Sequence, residues 1–262
     1  MSLDTGAKNT WCPGCGHFGI MAAAKSVMQE MIDSGEKKHE DFVIASGIGC
    51  HAKIVDYIDV NSFYSIHGRV PPTLIGTKIA NPGLTAIGFA GDGDGYGEGV
   101  SHLIFAAKRN ADITMIIHNN RIYGLTTGQF SPTTPQGQKT KSTPYGSIEY
   151  PLNPIKLMLG SGATFVARTS SLDMKHMKEM IKQGIEHKGF SIIDVIEPCV
   201  SFFNTLQYIK ENTYVMEDHD PTDQAKAWKK AGEWNYTPEG KIPLGVFYKE
   251  EKKSFEELLA EQ

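Results

Sequence analysis

Short apolar runs alternate with helix-compatible stretches along most of this chain, and that alternation limits its fold more than any other feature. The runs fall at residues 42–45, 63–66, 84–90, 113–117, 163–167 and 190–196. Ahead of them, Phe18, Met21, Ala22, Val27, Met28, Met31 and Ile32 recur with a roughly helical period that closes at Gly35. Residues 99–110 and 172–187 are helix-compatible as well. Strands alternating with helices specify βαβ units, hence an α/β fold with a mainly parallel sheet covered by helices on both faces. A chain of 262 residues can bury such a core in one large domain or two small ones. No apolar run approaches the ~18 residues of a membrane span, and the opening residues lack the apolar stretch of a secretion signal, so a cytoplasmic protein is expected. With 26 Lys plus Arg against 30 Asp plus Glu and no basic cluster, a nucleic-acid surface is not expected, because phosphate binding needs a basic face. Residues 126–154, rich in Thr, Pro, Gly, Gln and Ser, read as an ordered loop beside a site. The boundary is placed at 204: residues 1–204 carry the α/β pattern. Residues 205–262, irregular and polar apart from an apolar patch at 242–248 and a charged helical end at 250–262, read as an arm packed on the same domain or on a partner subunit.

The run at 84–90 leads into Gly91-Asp92-Gly93-Asp94-Gly95-Tyr96-Gly97, ahead of a helix. Ligands of parallel sheets sit at such carboxyl ends. The glycines let backbone amides approach a phosphate, and the helix N-terminus adds a favourable dipole. The acids would repel that phosphate unless Asp92 held a divalent cation gripping the anion, and Mg²⁺ takes oxygen ligands of this kind. A second ligand is expected from a neighbouring strand end. The run at 113–117 leads to His118-Asn119-Asn120, with 25 residues between Gly93 and Asn119. The Ile122 carbonyl could supply another oxygen. An EF-hand starting at Asp92 fails because Leu103 stands where a bidentate Glu is required. Gly47-Ile48-Gly49-Cys50-His51-Ala52 imitates a dinucleotide fingerprint, but His67 stands where the ribose-binding acid belongs.

Four cysteines are present. Cys12-Pro13-Gly14-Cys15 is followed by 34 residues before Cys50 and by a further 148 before Cys199. That is too sparse for a disulfide scaffold. Thiolates gathered from three places suit a tetrahedral metal or a 4Fe-4S cluster, whereas zinc ribbons normally offer two CxxC pairs. A thioredoxin-like CxxC would follow a strand, and the eleven residues ahead offer none. Cluster, zinc and unrelated buried thiols all remain open on the residues alone.

Gly-Asp-Gly, a spacer of this length and Asn-Asn resemble the diphosphate and Mg²⁺ motif of thiamin diphosphate enzymes. By that resemblance Asp92 and Asn120 bind Mg²⁺ through side chains and Ile122 through its carbonyl. Together with Trp11-Cys12-Pro13-Gly14-Cys15-Gly16-His17, Gly47-Ile48-Gly49-Cys50, His67-Gly68-Arg69, Ile122-Tyr123-Gly124-Leu125-Thr126, Glu197-Pro198-Cys199 and Ile242-Pro243-Leu244-Gly245-Val246-Phe247-Tyr248, the motif resembles the β subunit of 2-oxoacid:ferredoxin oxidoreductases over nearly the whole chain. Two departures stand out: Asn119 occupies a position where the family often has Asp, and His51 one where a small residue is usual.

The resemblance implies that Cys12, Cys15, Cys50 and Cys199 hold one 4Fe-4S cluster near the thiamin ring. It also implies that Ile48, Gly49, Cys50, His51, His67, Gly91, Gly93, Asp94, Gly124 and Leu125 lie along thiamin diphosphate. The implied reaction is CoA-dependent oxidative decarboxylation of a 2-oxoacid, with electrons passed through the cluster to ferredoxin. An α subunit is the implied partner and supplies the glutamate that activates the cofactor. Lys53, three residues after Cys50, could pair with a second carboxylate, which favours 2-oxoglutarate, and Leu125 is expected to shape the substrate pocket. The alternatives are a thiamin-dependent non-oxidative synthase or decarboxylase with structural zinc, and a metal-stabilised binding subunit without catalysis.

Overall fold

The computed structural model describes residues 3–262. Helix α1 (His17–Asp33) precedes strand β1 (Phe42–Ser46), followed by α2 (Ile54–Tyr57), β2 (Asn61–Tyr64), α3 (Val70–Ala80), β3 (Thr85–Gly91), α4 (Val100–Arg109) and β4 (Thr114–Asn119). After a long connection come α5 (Pro154–Gly160), β5 (Phe165–Ser170), α6 (Met174–Glu186) and β6 (Ser191–Ile196). The C-terminal segment adds α7 (Leu206–Asn212), β7 (Thr213–Val215), α8 (Gln224–Ala231), β8 (Ile242–Lys249) and α9 (Phe255–Ala260). The strands form one sheet in the order β2-β1-β3-β4-β6-β5-β8-β7. All pairs from β2 through to β5 are parallel, β8 runs antiparallel to β5, and β7 is parallel to β8.

Successive strand side chains point to opposite faces, and the core divides accordingly. Phe42, Ile44, Ile87, Phe89, Ile116, Phe165, Ala167, Ile193 and Val195 face α1 and α6. Val43, Ala45, Ala86, Ala90, Met115, Ile117, Val166 and Ile192 face α3, α4, α5 and α8. Central strands covered on both sides carry nearly unbroken apolar runs, which is why β1, β3, β4, β5 and β6 were visible as runs rather than alternations. The expected runs lie within three residues of the strand ends, because hydrogen-bonded neighbours set strand ends and propensity does not. The apolar patch at 242–248 is β8, seated between β5 and β7. Pro243 and Gly245 within it break the usual strand signature.

The sheet has a switch point that places the site. From β1 the chain moves outward to β2, then crosses back to β3 on the other side of β1. The loops leaving the carboxyl ends of β1 and β3 therefore diverge and leave a crevice between them, the usual ligand position in such sheets.

Helix α3 closes on the sheet at Gly88. A Cβ there would come 2.5 Å from Met115 Sδ and 2.6 Å from Val70 Cγ1. Gly76, exposed within the same helix, has nothing within 4 Å of its would-be Cβ. The two glycines should respond oppositely to one added methyl. Gly88→Ala is expected to destabilise the chain by about 1–3 kcal/mol through overpacking, and Gly76→Ala to stabilise it by about 0.5–1 kcal/mol through helix propensity. Thermal unfolding midpoints that move in the same direction would contradict this packing.

Candidate functional site

Two adjoining clefts open at the carboxyl ends of the parallel strands. The first, about 540 Å³, is lined by Ile48, Gly49, Cys50 and His51 after β1, by His67, by Gly91 to Asp94 after β3, and by Asn120 and Ile122 to Leu125 after β4. The second, about 610 Å³, is lined by Cys12, Cys15, Cys50, Cys199, Lys53, Trp11 and Phe202 among others. His17, Cys50, Asn120, Gly124 and Leu125 border both.

The β3 end is organised by two acids that behave differently. Asp92 is buried, and its Oδ2 accepts hydrogen bonds from Ser131 Oγ (2.5 Å) and Thr133 Oγ1 (2.6 Å). Burial outweighs these donors and pushes its carboxyl up to about 6. A buried carboxylate held this way would gain from a bound cation. Asn120, whose Oδ1 accepts from the Ile122 amide (3.1 Å), and Ile122 line the same cleft as Asp92, and the Asp92 and Asn120 side chains carry oxygens of the type that Mg²⁺ takes. Thr133 Oγ1 also lies 2.9 Å from Asn119 Oδ1 and shares its one O–H between the two acceptors, so the long loop at 126–154 latches both strand ends.

Asp94 does structural work. Its Oδ1 accepts from the amides of Ile48 (3.1 Å) and Gly68 (2.8 Å) and lies 3.0 Å from His67 Nδ1, while His51 Nε2 stands 3.6 Å from Oδ2. Burial opposes its ionisation, yet His51 and these amides hold its carboxyl below the ordinary value. Gly47 is required here, because a Cβ would sit 1.9 Å from Asp94 Oδ2. His67 therefore faces the first cleft, whereas Arg69 is exposed and bonds His102 Nε2 (2.8 Å) away from it.

The cysteines come from three places: the turn ahead of α1, the short 3-10 turn Cys50–Lys53, and the loop after β6. A Cβ on Gly124 would lie 3.7 Å from both Cys50 Sγ and Cys199 Sγ, so the loop after β4 runs against two of the sulfurs. Ser201 Oγ donates to Cys12 Sγ (3.3 Å), and the nearby backbone amides of His17 at Cys15, and of Ser201, Phe202 and Phe203 at Cys199, oppose the rise that burial imposes on those thiols. Burial first and the Glu197 carboxylate second push the Cys15 thiol up to about 12. Thiolates gathered here need bound positive charge, which suits metal or cluster iron. Lys53 borders this cleft from an exposed position, and Leu125 stands half-exposed at the shared mouth.

Sequence reasoning missed a buried group between the clefts. His17 Nδ1 lies 2.8 Å from Glu197 Oε1 and 3.0 Å from His118 Nδ1. Burial alone would lower the His17 pKa; Glu197 and the Cys50 sulfur outweigh it and raise it to about 9. His118 is held well below the ordinary histidine value by burial and by the neighbouring histidines. The only sequence signal was adjacency, Gly16-His17 after the CxxC and Glu197 two residues before Cys199.

Residues 47–195 match the family model described as thiamine pyrophosphate enzyme, C-terminal TPP binding domain, and residues 199–262 match the model for the C-terminal part of the pyruvate ferredoxin oxidoreductase beta chain. The chain is 43% identical over 277 residues to the beta subunit of 2-oxoacid:ferredoxin oxidoreductase 1 from Aeropyrum pernix, covering all of this chain and 84% of that one. It is 36% identical over 259 residues to the 2-oxoglutarate synthase subunit KorB of Methanocaldococcus jannaschii, covering 95% and 90% respectively. Among solved structures it superposes with a TM-score of 0.93 and 35% identity on a chain of the Magnetococcus marinus 2-oxoglutarate:ferredoxin oxidoreductase, solved with 2-oxoglutarate, coenzyme A and succinyl-CoA bound, over 99% of this chain and 87% of that one. The chain belongs to the family of 2-oxoacid:ferredoxin oxidoreductase β subunits, with a thiamin diphosphate-binding domain and an α subunit as its partner.

Proposed function

We propose that this β subunit, joined to its α subunit, carries out CoA-dependent oxidative decarboxylation of 2-oxoglutarate and passes the electrons through a 4Fe-4S cluster to ferredoxin. One observation carries the reading: a cleft lined by oxygen donors and glycines shares a wall with a cleft lined by all four cysteines. Thiamin diphosphate supplies the electron sink for decarboxylation. The chain's residues do the rest. Asp92, Asn120 and the Ile122 carbonyl hold Mg²⁺ against the diphosphate. Ile48, Gly49, His51, His67, Gly91, Gly93, Gly124 and Leu125 line the cofactor, with Asp94 fixing the loops that bear them. Cys12, Cys15, Cys50 and Cys199 hold the cluster, and Cys50 borders both clefts, which keeps donor and acceptor adjacent.

Closure of the site falls to the α subunit. Ile48, Leu125 and Phe202 line the clefts yet are 40%, 53% and 45% exposed, the kind of apolar rim that a partner covers. That partner brings the activating glutamate. Lys53, in the electron-side cleft beside Leu125, receives the distal carboxylate of 2-oxoglutarate.

Three outcomes are expected. The complex purified without oxygen should be brown, absorb broadly near ~400 nm and contain about four irons per β chain without zinc; a colourless zinc protein would overturn the electron-transfer role. Asp92→Ala should abolish Mg²⁺-dependent binding of thiamin diphosphate, measured by calorimetry, while iron content stays at the wild-type level. Lys53→Ile should raise KM for 2-oxoglutarate by about tenfold, ~1.4 kcal/mol for a lost charge-assisted contact, and leave KM for 2-oxobutyrate nearly unchanged. Equal effects on the two substrates would remove Lys53 from substrate recognition.

A further inference from the structure

Between the two clefts, the chain buries a carboxylate and two imidazoles that the reading above does not use. His17, His118 and Glu197 are all buried, and one ligand-type atom from each lies within 4.8 Å of the others. Both oxygens of Glu197 lack a hydrogen-bond donor of good geometry, as does the neighbouring Ser171 hydroxyl. Gly16 leaves room for the acid, since a Cβ there would come 2.4 Å from Glu197 Oε2.

The His17 ring is held from several sides. Trp11 packs edge-on at 5.2 Å between centroids and His118 at 4.9 Å. Trp11 in turn donates Nε1–H to the Cys50 carbonyl at 2.6 Å. Nδ1 is turned to Glu197 and His118. His17 and Cys50 line both clefts together, and the Cys50 sulfur lies near enough to the ring to help raise its pKa. With Nδ1 taken, Nε2 is the nitrogen left for that sulfur. His17 thus ties together the CxxC turn, the loop after β1 and the loop after β6, the three segments that bear the cysteines.

We propose that His17 donates Nε2–H to Cys50 Sγ, that Glu197 orients the ring for this bond, and that the bond sets the reduction potential of the cluster. The inference rests on the electron-transfer reading above. An N–H donated to a cluster sulfur stabilises the reduced form, which carries the extra negative charge, and so raises the potential. Cys50 is the ligand that borders the cofactor cleft, so a donor at that sulfur acts on the side where the electron enters. Glu197 is here a positioning residue.

The test uses the intact oxygen-free complex and a redox titration followed by electron paramagnetic resonance. His17→Phe should keep its iron and shift the oxidised-to-reduced ratio at fixed potential about tenfold toward oxidised, a fall in midpoint of ~59 mV for one electron. His17→Gln, which keeps an N–H, should recover part of the shift. An unchanged midpoint in a His17→Phe complex with full iron would overturn the proposal. Because that variant could shed its cluster, the wild type supplies a second readout. With histidine labelled in heavy nitrogen, the reduced cluster should show hyperfine coupling to an imidazole nitrogen, and the absence of that coupling would overturn the proposal independently. A further divalent metal per chain, lost in His17→Phe, would make His17 a ligand and overturn the donor role. A wild-type complex without iron would instead sink the electron-transfer reading on which the inference stands.

Discussion

The site depends on one buried carboxylate. Asp94 sits at the first turn after β3 and gathers the Ile48 amide from the loop after β1, the Gly68 amide from the loop ahead of α3, and the rings of His51 and His67. Parallel strands deliver their loops to one end of the sheet but leave them free to splay at the switch point between β1 and β3. A charge taken out of water is tolerated only when several donors meet it, so the requirement to satisfy Asp94 draws those loops to fixed positions. The glycine requirement at Gly47 follows from the same contact. The acid read from sequence as a neighbour of the cofactor thus has a second task, setting the shape of the wall on which the cofactor would lie.

A second constraint acts at the β4 end. Arg121 adopts a positive φ of 61°, sparsely populated for a residue with a side chain. Its guanidinium is fully buried among the rings of Phe203, Tyr208 and Trp234, and its carbonyl accepts from Thr134 Oγ1 at 2.6 Å. These contacts offset the local strain and turn Asn120 and Ile122 toward the cleft from either side of it. The rings belong to the segment after β6, and Thr134 to the long loop. Both segments that looked irregular in sequence therefore hold the oxygen donors in place.

What was legible divides along physical lines. Periodicity exposed the central strands and α1, α4 and α6, because burial on one or two faces dictates residue type at every position. The Gly-Asp-Gly run, Asn120 and the four cysteines stood out because the phosphate, hard cation and cluster proposed for them would each restrict the residues able to meet them. Partners in space carried no such mark. Ser131 and Thr133 hydrogen-bond Asp92 from about forty residues away, and Glu197 meets His17 across 180 residues of chain. Polar side chains in a loop, or single acids at a strand end, look alike whether they are solvated or locked in a network. Strand β8 was obscured for the opposite reason: Pro243 and Gly245 violate the strand pattern, yet β5 and β7 on either side pair with it.

The C-terminal strands also bear on the interior of the sheet. Asp194, in the middle of β6, is fully buried and accepts hydrogen bonds from Asn119 Nδ2 (2.9 Å), Tyr96 OH (3.2 Å) and Tyr236 OH, with Arg168 Nε at 3.5 Å. Arg168 donates to the Pro243 carbonyl and to Tyr236, and stacks against Trp234 and Phe247. An acid and a guanidinium buried together are weak stabilisers, but removing either leaves an uncompensated charge. The network therefore specifies arrangement more than it adds stability. It joins Tyr96 after β3 and Asn119 at the end of β4 to residues beyond position 230, so the two strand ends that carry Asp92 and Asn120 are aligned by a part of the chain that touches neither cleft. A site spread over three loops keeps its register because the sheet beneath it is pinned by charge as well as by apolar packing.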